Sequence, residues 1–205
     1  MTRSLASDVI TLTLEHAWLV LVSVSVAVAI AVPGAVLVSR RARLRSWLLG
    51  FANVVQTIPS LAVFGLLLPV PLIGGVGKRT AIVALVLYAL LPVLRNTLVG
   101  ILGIDPAVRE SAVAMGMTDW QLLFQVEMPL AVPMILAGIR IATVATIGTA
   151  TIAAVIGGGG LGVFIFRGIA MVDTAQILAG AIPAAAIALA ADEVLGWVEH
   201  RLSPA

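Results

Sequence analysis

The sequence has no cysteine. Disulfides, thiolate zinc sites, iron–sulfur clusters and cysteine nucleophiles are excluded together, and no redox compartment is implied. Charge is scarce as well: Asp, Glu, Lys and Arg make up 11% of the 205 residues, against about 25% in a soluble domain. Histidine occurs twice, as His16 and His200, at predicted opposite faces. No His-Glu-x-x-His, Gly-x-Ser-x-Gly or pair of mid-membrane aspartates is present, which argues against a membrane-embedded enzyme. Asp192 and Glu193 are adjacent and point about 100° apart on a helix. Aromatics reach only 5%, with a single Tyr. What is abundant is apolar: 61% of the residues. A soluble fold of this length cannot hide that surface and a disordered chain does not carry it, so most of the chain is expected to meet lipid.

Five stretches are long enough to span a bilayer, at about 17–38, 47–68, 80–101, 130–156 and 174–197. The first is too long for a signal-peptide core, and no basic region closely precedes it. Arg40, Arg41, Arg43 and Arg45 follow it. Basic residues prefer the cytoplasmic side, so the 39–46 loop is expected inside. The N-terminus is then outside and the C-terminus inside, with Arg109 and Arg201 also inside. Arg3, Lys78, Arg79 and Arg167 fall outside and dilute the bias. The net charge of +2 fits loop asymmetry, and no aromatic-interleaved basic patch points to nucleic acid. Trp18, Trp47, Trp120 and Trp197 lie near predicted interfaces, as an aromatic belt requires. Neither an internal repeat nor a linker divides the chain, so one helical membrane domain over 1–205 is expected.

The 102–129 loop is the one long segment on the predicted inner face. Asp105-Pro106 suits an N-cap followed by Pro at the first helical position. The helix is expected to reach about Met115 and to end at Gly116 in a left-handed conformation. Thr118-Asp119-Trp120-Gln121 is a capping-box sequence that starts a second helix. Pro129 is expected to close the segment. Trp120, Leu123 and Phe124 share a helical face. That face packs on its own bundle, rests in the lipid interface, or enters a groove on a partner.

Within this loop stand Glu110-Ser111-Ala112, then Gly116, then Val126, Met128 and Pro129. This pattern resembles the EAA loop of ABC-importer permeases: Glu-Ala-Ala, three residues, Gly, nine residues, Ile, one residue, Leu-Pro. Ser111, Val126 and Met128 replace Ala, Ile and Leu, and the spacing is kept. The likeness runs from about Glu15 to Asp192. It is closest to the glycine betaine, carnitine and choline branch in Gln56-Thr57-Ile58-Pro59-Ser60-Leu61, Tyr88–Thr97, Ala114–Thr118, Ala137–Arg140 and Ile156–Gly162.

The resemblance implies an all-α membrane protein: a five-helix type I ABC-importer permease bundle with cytoplasmic coupling helices, in a bacterial cytoplasmic membrane. It implies that Glu110, Ser111, Ala112, Gly116, Trp120, Leu123, Phe124, Val126, Met128 and Pro129 engage a separate ATP-binding subunit. A second permease, identical or paralogous, and an extracytoplasmic substrate-binding protein are implied as further partners. Amino acids or methionine are the alternative cargo. A stand-alone channel or carrier is the remote alternative.

Polar groups in lipid are costly, so each is a functional candidate. Asn53, Gln56 and Ser60 share one face of the second stretch, beside Thr57. That face either bonds a neighbouring helix, at about 0.6 kcal/mol per pair, or lines a pathway. Pro59 breaks the hydrogen-bond ladder there and marks a hinge. Arg95 and Asn96 lie near the inner end of the third stretch, and Arg140 falls in the inner half of the fourth. No acidic residue is expected at the depth of Arg140, leaving carbonyls, Asn96 or water as partners. The lack of membrane carboxylates argues against proton coupling. Gly157–Gly160 lacks the Gly-Lys-Ser/Thr of a phosphate loop and reads as a flexible or closely packed turn. No cofactor is expected on this chain, ATP belonging to the partner. No mid-depth aromatic cluster suggests a cation cage, so tight substrate recognition is expected on the binding protein.

Overall fold

The computed structural model describes residues 5–202; Arg3, counted among the exterior basic residues, lies outside them. Four described helices are long and apolar enough to cross a membrane, or five if one bent pair counts as a single span. Helix α1 (Leu5–Ser39) has 35 residues, about 52 Å at 1.5 Å per residue, so it outreaches the roughly 30 Å hydrocarbon layer. It begins a dozen residues before the predicted stretch. Hydropathy registers lipid contact, and the polar turn around Glu15 and His16 hides a helix that continues above it.

The second span departs most from expectation. Instead of one helix over 47–68 there are α2 (Ala42–Thr57) and α3 (Ser60–Leu67), whose axes differ by 99°. Pro59 cannot donate a backbone hydrogen bond, and its ring drives Ile58 into extended backbone at φ −75° and ψ 128°. The expected 39–46 loop also shrinks, because Arg43 and Arg45 already belong to α2. Only Arg40 and Arg41 join the two helices.

Helix α4 (Lys78–Leu102) packs against α1 and α7 (Met128–Ala150), and α9 (Thr174–Leu202) lies on α7. The buried face of α1 runs through His16, Leu19, Ser23, Ala27, Ala31 and Ala35, at spacings of three and four. Lipid tails offer no hydrophobic drive for helices to associate, so small residues set the closeness of packing. Gly138 of α7 is one such residue: a Cβ there would lie 2.6 Å from Asn96 Cβ and 3.0 Å from the Pro92 carbonyl of α4.

The fourth stretch ends earlier than predicted. Helix α7 stops at Ala150 and tightens into a 3₁₀ turn over Ile152–Ile156. The glycine run then makes a closely packed turn, with positive φ at Gly157, Gly159 and Gly160. The 157–173 segment contains a helix the sequence reading missed, α8 (Gly162–Met171), which packs on α9. Ten residues are too few to span, and its glycine-rich approach reads as a loop.

Candidate functional site

The 102–129 segment holds two short helices, as predicted. Helix α5 (Pro106–Ala114) starts at Asp105, whose carboxylate accepts the Ala107 N–H at 2.8 Å. It ends in a Schellman motif: Gly116 N–H donates to Val113 O at 2.9 Å and Met117 N–H to Ala112 O at 3.2 Å. Gly116 carries the required positive φ of 83°. Helix α6 (Asp119–Gln121) opens with the full capping box between Thr118 and Gln121. The exit differs from expectation. Pro129 does not close the segment, because Asp119–Ala150 is one continuous helical path. A π turn over Leu122–Glu127 carries the chain into α7. A wider turn of this kind relieves the clash between a proline ring and the carbonyl four residues earlier.

Glu110, Ser111 and Gly116 are exposed, while Ala112 is buried. Val126 and Met128 are half-buried and Pro129 is exposed. Trp120 and Phe124 stack with ring centroids 5.5 Å apart and planes within 5°. They are 70% and 60% exposed. With Leu123 and Met128 they line a groove of about 560 Å³ against Val32, Pro33, Val36 and Leu37 of α1. The shared face of Trp120, Leu123 and Phe124 thus looks along the end of α1.

The sequence reading passes over Glu127, the last residue of the π turn. Its carboxylate is buried, 3% exposed. Arg40 Nη2 lies 3.2 Å from Oε2 and Arg109 Nε 3.0 Å from Oε1. In the sequence Arg40 and Arg109 serve only as markers of orientation. The sequence carries little signal for it: Glu127 is one of four acids in the 102–129 segment, with Asp105, Glu110 and Asp119, against the single Arg109.

Within the membrane the prolines dictate the polar contacts. Pro92 has no N–H for the Tyr88 carbonyl four residues earlier, and Gln56 Nε2 donates to that oxygen at 3.2 Å. The break before Pro59 likewise leaves the Ile58 carbonyl without a helical partner, and the Tyr88 hydroxyl donates to it. Two proline-made vacancies are filled reciprocally by side chains from the opposite helix. The predicted face of Asn53, Gln56 and Ser60 is divided, since Ser60 starts α3 beyond the bend. Asn53, Gln56, Thr57 and Pro59 are exposed, and Thr57 Oγ1 donates to Val54 O. Asn96 donates to Pro92 O at 2.9 Å.

Arg140 corrects the expectation that no acid stands at its depth. Its Nε lies 2.8 Å from Asp192 and its Nη1 3.2 Å from Glu199, both on α9. Gly196 lies between them, where a Cβ would come within 2.9 Å of the guanidinium. One helix supplies two carboxylates and a space between them. At the far end of the bundle, Glu15 holds Lys78 at 3.0 Å and accepts the Gly160 N–H at 3.4 Å. Buried His16 contacts Ile147 O at 3.1 Å through Nε2.

Residues 21–204 match the family described as the binding-protein-dependent transport system inner membrane component. The chain is 51% identical over 174 residues to the carnitine transport permease protein OpuCD of Listeria monocytogenes, covering 84% of this chain and 77% of that one. It is 42% identical over 190 residues to the glycine betaine/carnitine/choline transport system permease protein OpuCB of Bacillus subtilis, covering 93% and 86%. It is 44% identical over 199 residues to the osmoprotectant import permease protein OsmW of Salmonella typhimurium, covering 96% and 91%. In fold it is similar to an inward-facing MetNI methionine ABC transporter chain, with TM-score 0.88 and 20% identity over all of both chains. The predicted EAA spacing, the helical bundle and these relatives agree: the chain belongs to the ABC-importer permease family of binding-protein-dependent inner membrane components.

Proposed function

We propose that this chain is the permease subunit of an importer for quaternary-ammonium osmoprotectants of the glycine betaine, carnitine and choline class. The observation that carries the reading is the likeness to permeases named for those substrates across most of the chain. The 102–129 segment faces the cytoplasm and docks a separate ATP-binding subunit, which holds the ATP. Glu110, Ser111 and Gly116 lie on its exposed surface, while Ala112, Val126, Met128 and Pro129 shape its packing and exit. Trp120, Leu123 and Phe124 form the edge that meets the subunit beside α1.

A pair of such permeases encloses the pathway. The exposed Asn53, Gln56 and Thr57, with Pro59 and Ser60 at the bend, line this chain's half. Asn96 and Arg140 instead brace the helices behind it. An extracytoplasmic binding protein delivers the substrate. The N-terminus is outside and the C-terminus inside.

The test is to purify the tagged chain from its native membrane in mild detergent, identify its companions, and assay the complex in vesicles. Co-purification of an ATPase, with ATP-driven uptake of labelled glycine betaine, carnitine or choline and not of methionine or histidine, is the expected result. Uptake of amino acids alone moves the chain to the alternative cargo. A chain isolated without an ATPase, under conditions that keep other importers whole, overturns the reading.

A further inference from the structure

Helix α5 is joined to the membrane helices by short connectors only: Gly103–Asp105 on one side and Met115–Thr118 on the other. Beyond these connectors, α5 is held to the bundle by its side-chain contacts. These contacts form a polar knot at Glu127. Arg109, on α5, places Nε against the Glu127 carboxylate at 3.0 Å. Its Nη2 donates to the Ile101 carbonyl in the last turn of α4, where helix carbonyls lack partners and a cation is favoured. Arg40, from the turn between α1 and α2, approaches the other oxygen of Glu127 at 3.2 Å. One buried carboxylate therefore ties α5 and the α1–α2 turn to the base of α7, and Arg109 extends the tie to α4.

The π turn contributes the phase. It ends at Glu127, and its extra residue per turn rotates α7 relative to α6. Glu127 thereby points inward, 3% exposed, while Trp120 and Phe124 stay out. A lone carboxylate at that depth is costly, and two guanidiniums offset the cost.

We propose that Glu127 is a positioning residue for coupling: it makes α5, α6, the α1–α2 turn and the bases of α4 and α7 move as one body, so that displacement of the docking segment reaches the spans. This rests on the reading of 102–129 as the ATPase-docking segment. Glu127 touches neither substrate nor ATP, and it transmits motion through its arginines.

The experiment uses the assembled importer in vesicles, with labelled glycine betaine, carnitine and choline assayed separately. ATP hydrolysis and uptake are measured on the same preparation. Wild type is measured first. A wild-type chain that recruits no ATPase refutes the docking reading and removes the load Glu127 would transmit, whereas a wild-type importer that works isolates the role of Glu127.

Glu127→Gln is then expected to assemble and hydrolyse ATP while transport per ATP falls about tenfold, a coupling loss of ordinary size. Apparent KM for substrate stays at the wild-type value while maximal uptake drops. If Glu127→Gln does not fold, Glu127→Asp decides, since it keeps the charge but is one methylene too short to meet both arginines. Its expected ratio of transport to hydrolysis lies about threefold below wild type. Wild-type transport per ATP in the variant that folds, or proportional loss of hydrolysis and uptake together, overturns the proposal.

Discussion

At the scale of single residues, the turn between α5 and α6 depends on one dihedral angle, that of Gly116. The place of Gly116 after a helix predicts a left-handed residue, and its φ is 83°. A Cβ added there meets nothing within 4 Å, so only the dihedral selects glycine. Asn tolerates the left-handed region and β-branched residues do not. Gly116→Asn is therefore expected to retain most uptake, and Gly116→Val to lose it at a local cost of about 1–2 kcal/mol, with the spans intact. Uptake assays on equal amounts of membrane-inserted variant check this, and normal transport by the valine variant refutes the turn's role. Arg140 is harder to read. Its position in an apolar stretch is evident, but Asp192 is 52 positions away by numbering and Glu199 further still. Which face of α9 meets α7 is not written in either helix alone. Glu127 escapes notice for the same reason: its partners come from two other elements.

At the scale of elements, the long apolar helices are legible, with ends off by a few residues at α4 and by a dozen at α1. The second span is legible only as a span carrying a proline. The size of the bend is set by what accepts it. Gln56 and Tyr88 supply hydrogen bonds to the carbonyls that Pro92 and Pro59 leave open, and each such bond in a membrane contributes about 0.6 kcal/mol. Removing both with Gln56→Leu and Tyr88→Phe is expected to loosen the angle between α2 and α3 without unfolding the bundle. Because the chain has no cysteine, spin labels at Phe51→Cys and Leu66→Cys, both exposed sites, report the angle without background. The latch variant is expected to broaden the distance distribution. A distribution as narrow as in the parent shows that packing alone holds the bend. Helix α8 is apolar but ten residues long, too short to read as a span, and the π turn has no sequence period that sets it apart from the helix it leads into.

At the scale of the whole molecule, the proposed orientation rests on where the arginines sit. Arg40, Arg41, Arg43, Arg45 and Arg109 gather at the end that carries the 102–129 segment, and Glu15 neutralises Lys78 at the other. A single cysteine at Val172, 90% exposed on the glycine-run side, is expected to react with a membrane-impermeant maleimide on intact cells or spheroplasts. One at Ala114, exposed on α5, is expected to react only after permeabilisation. The reverse pattern inverts the topology and removes the docking segment from the cytoplasm.

Composition, helix caps, proline positions and the spacing from Glu110 to Pro129 are properties of one chain segment and its solvent. They determined by themselves that this is a helical membrane protein with a two-helix segment at 102–129, which resembles the EAA loop of ABC-importer permeases. The pairs Arg40–Glu127, Arg140–Glu199 and Gln56–Tyr88 lie 87, 59 and 32 residues apart. Whether such groups meet depends on the rotation of each helix about its axis and on how closely small residues let the axes approach. Those quantities exist only once the bundle is packed, so the tertiary structure alone decided where the charges were neutralised and which carbonyls held the bend.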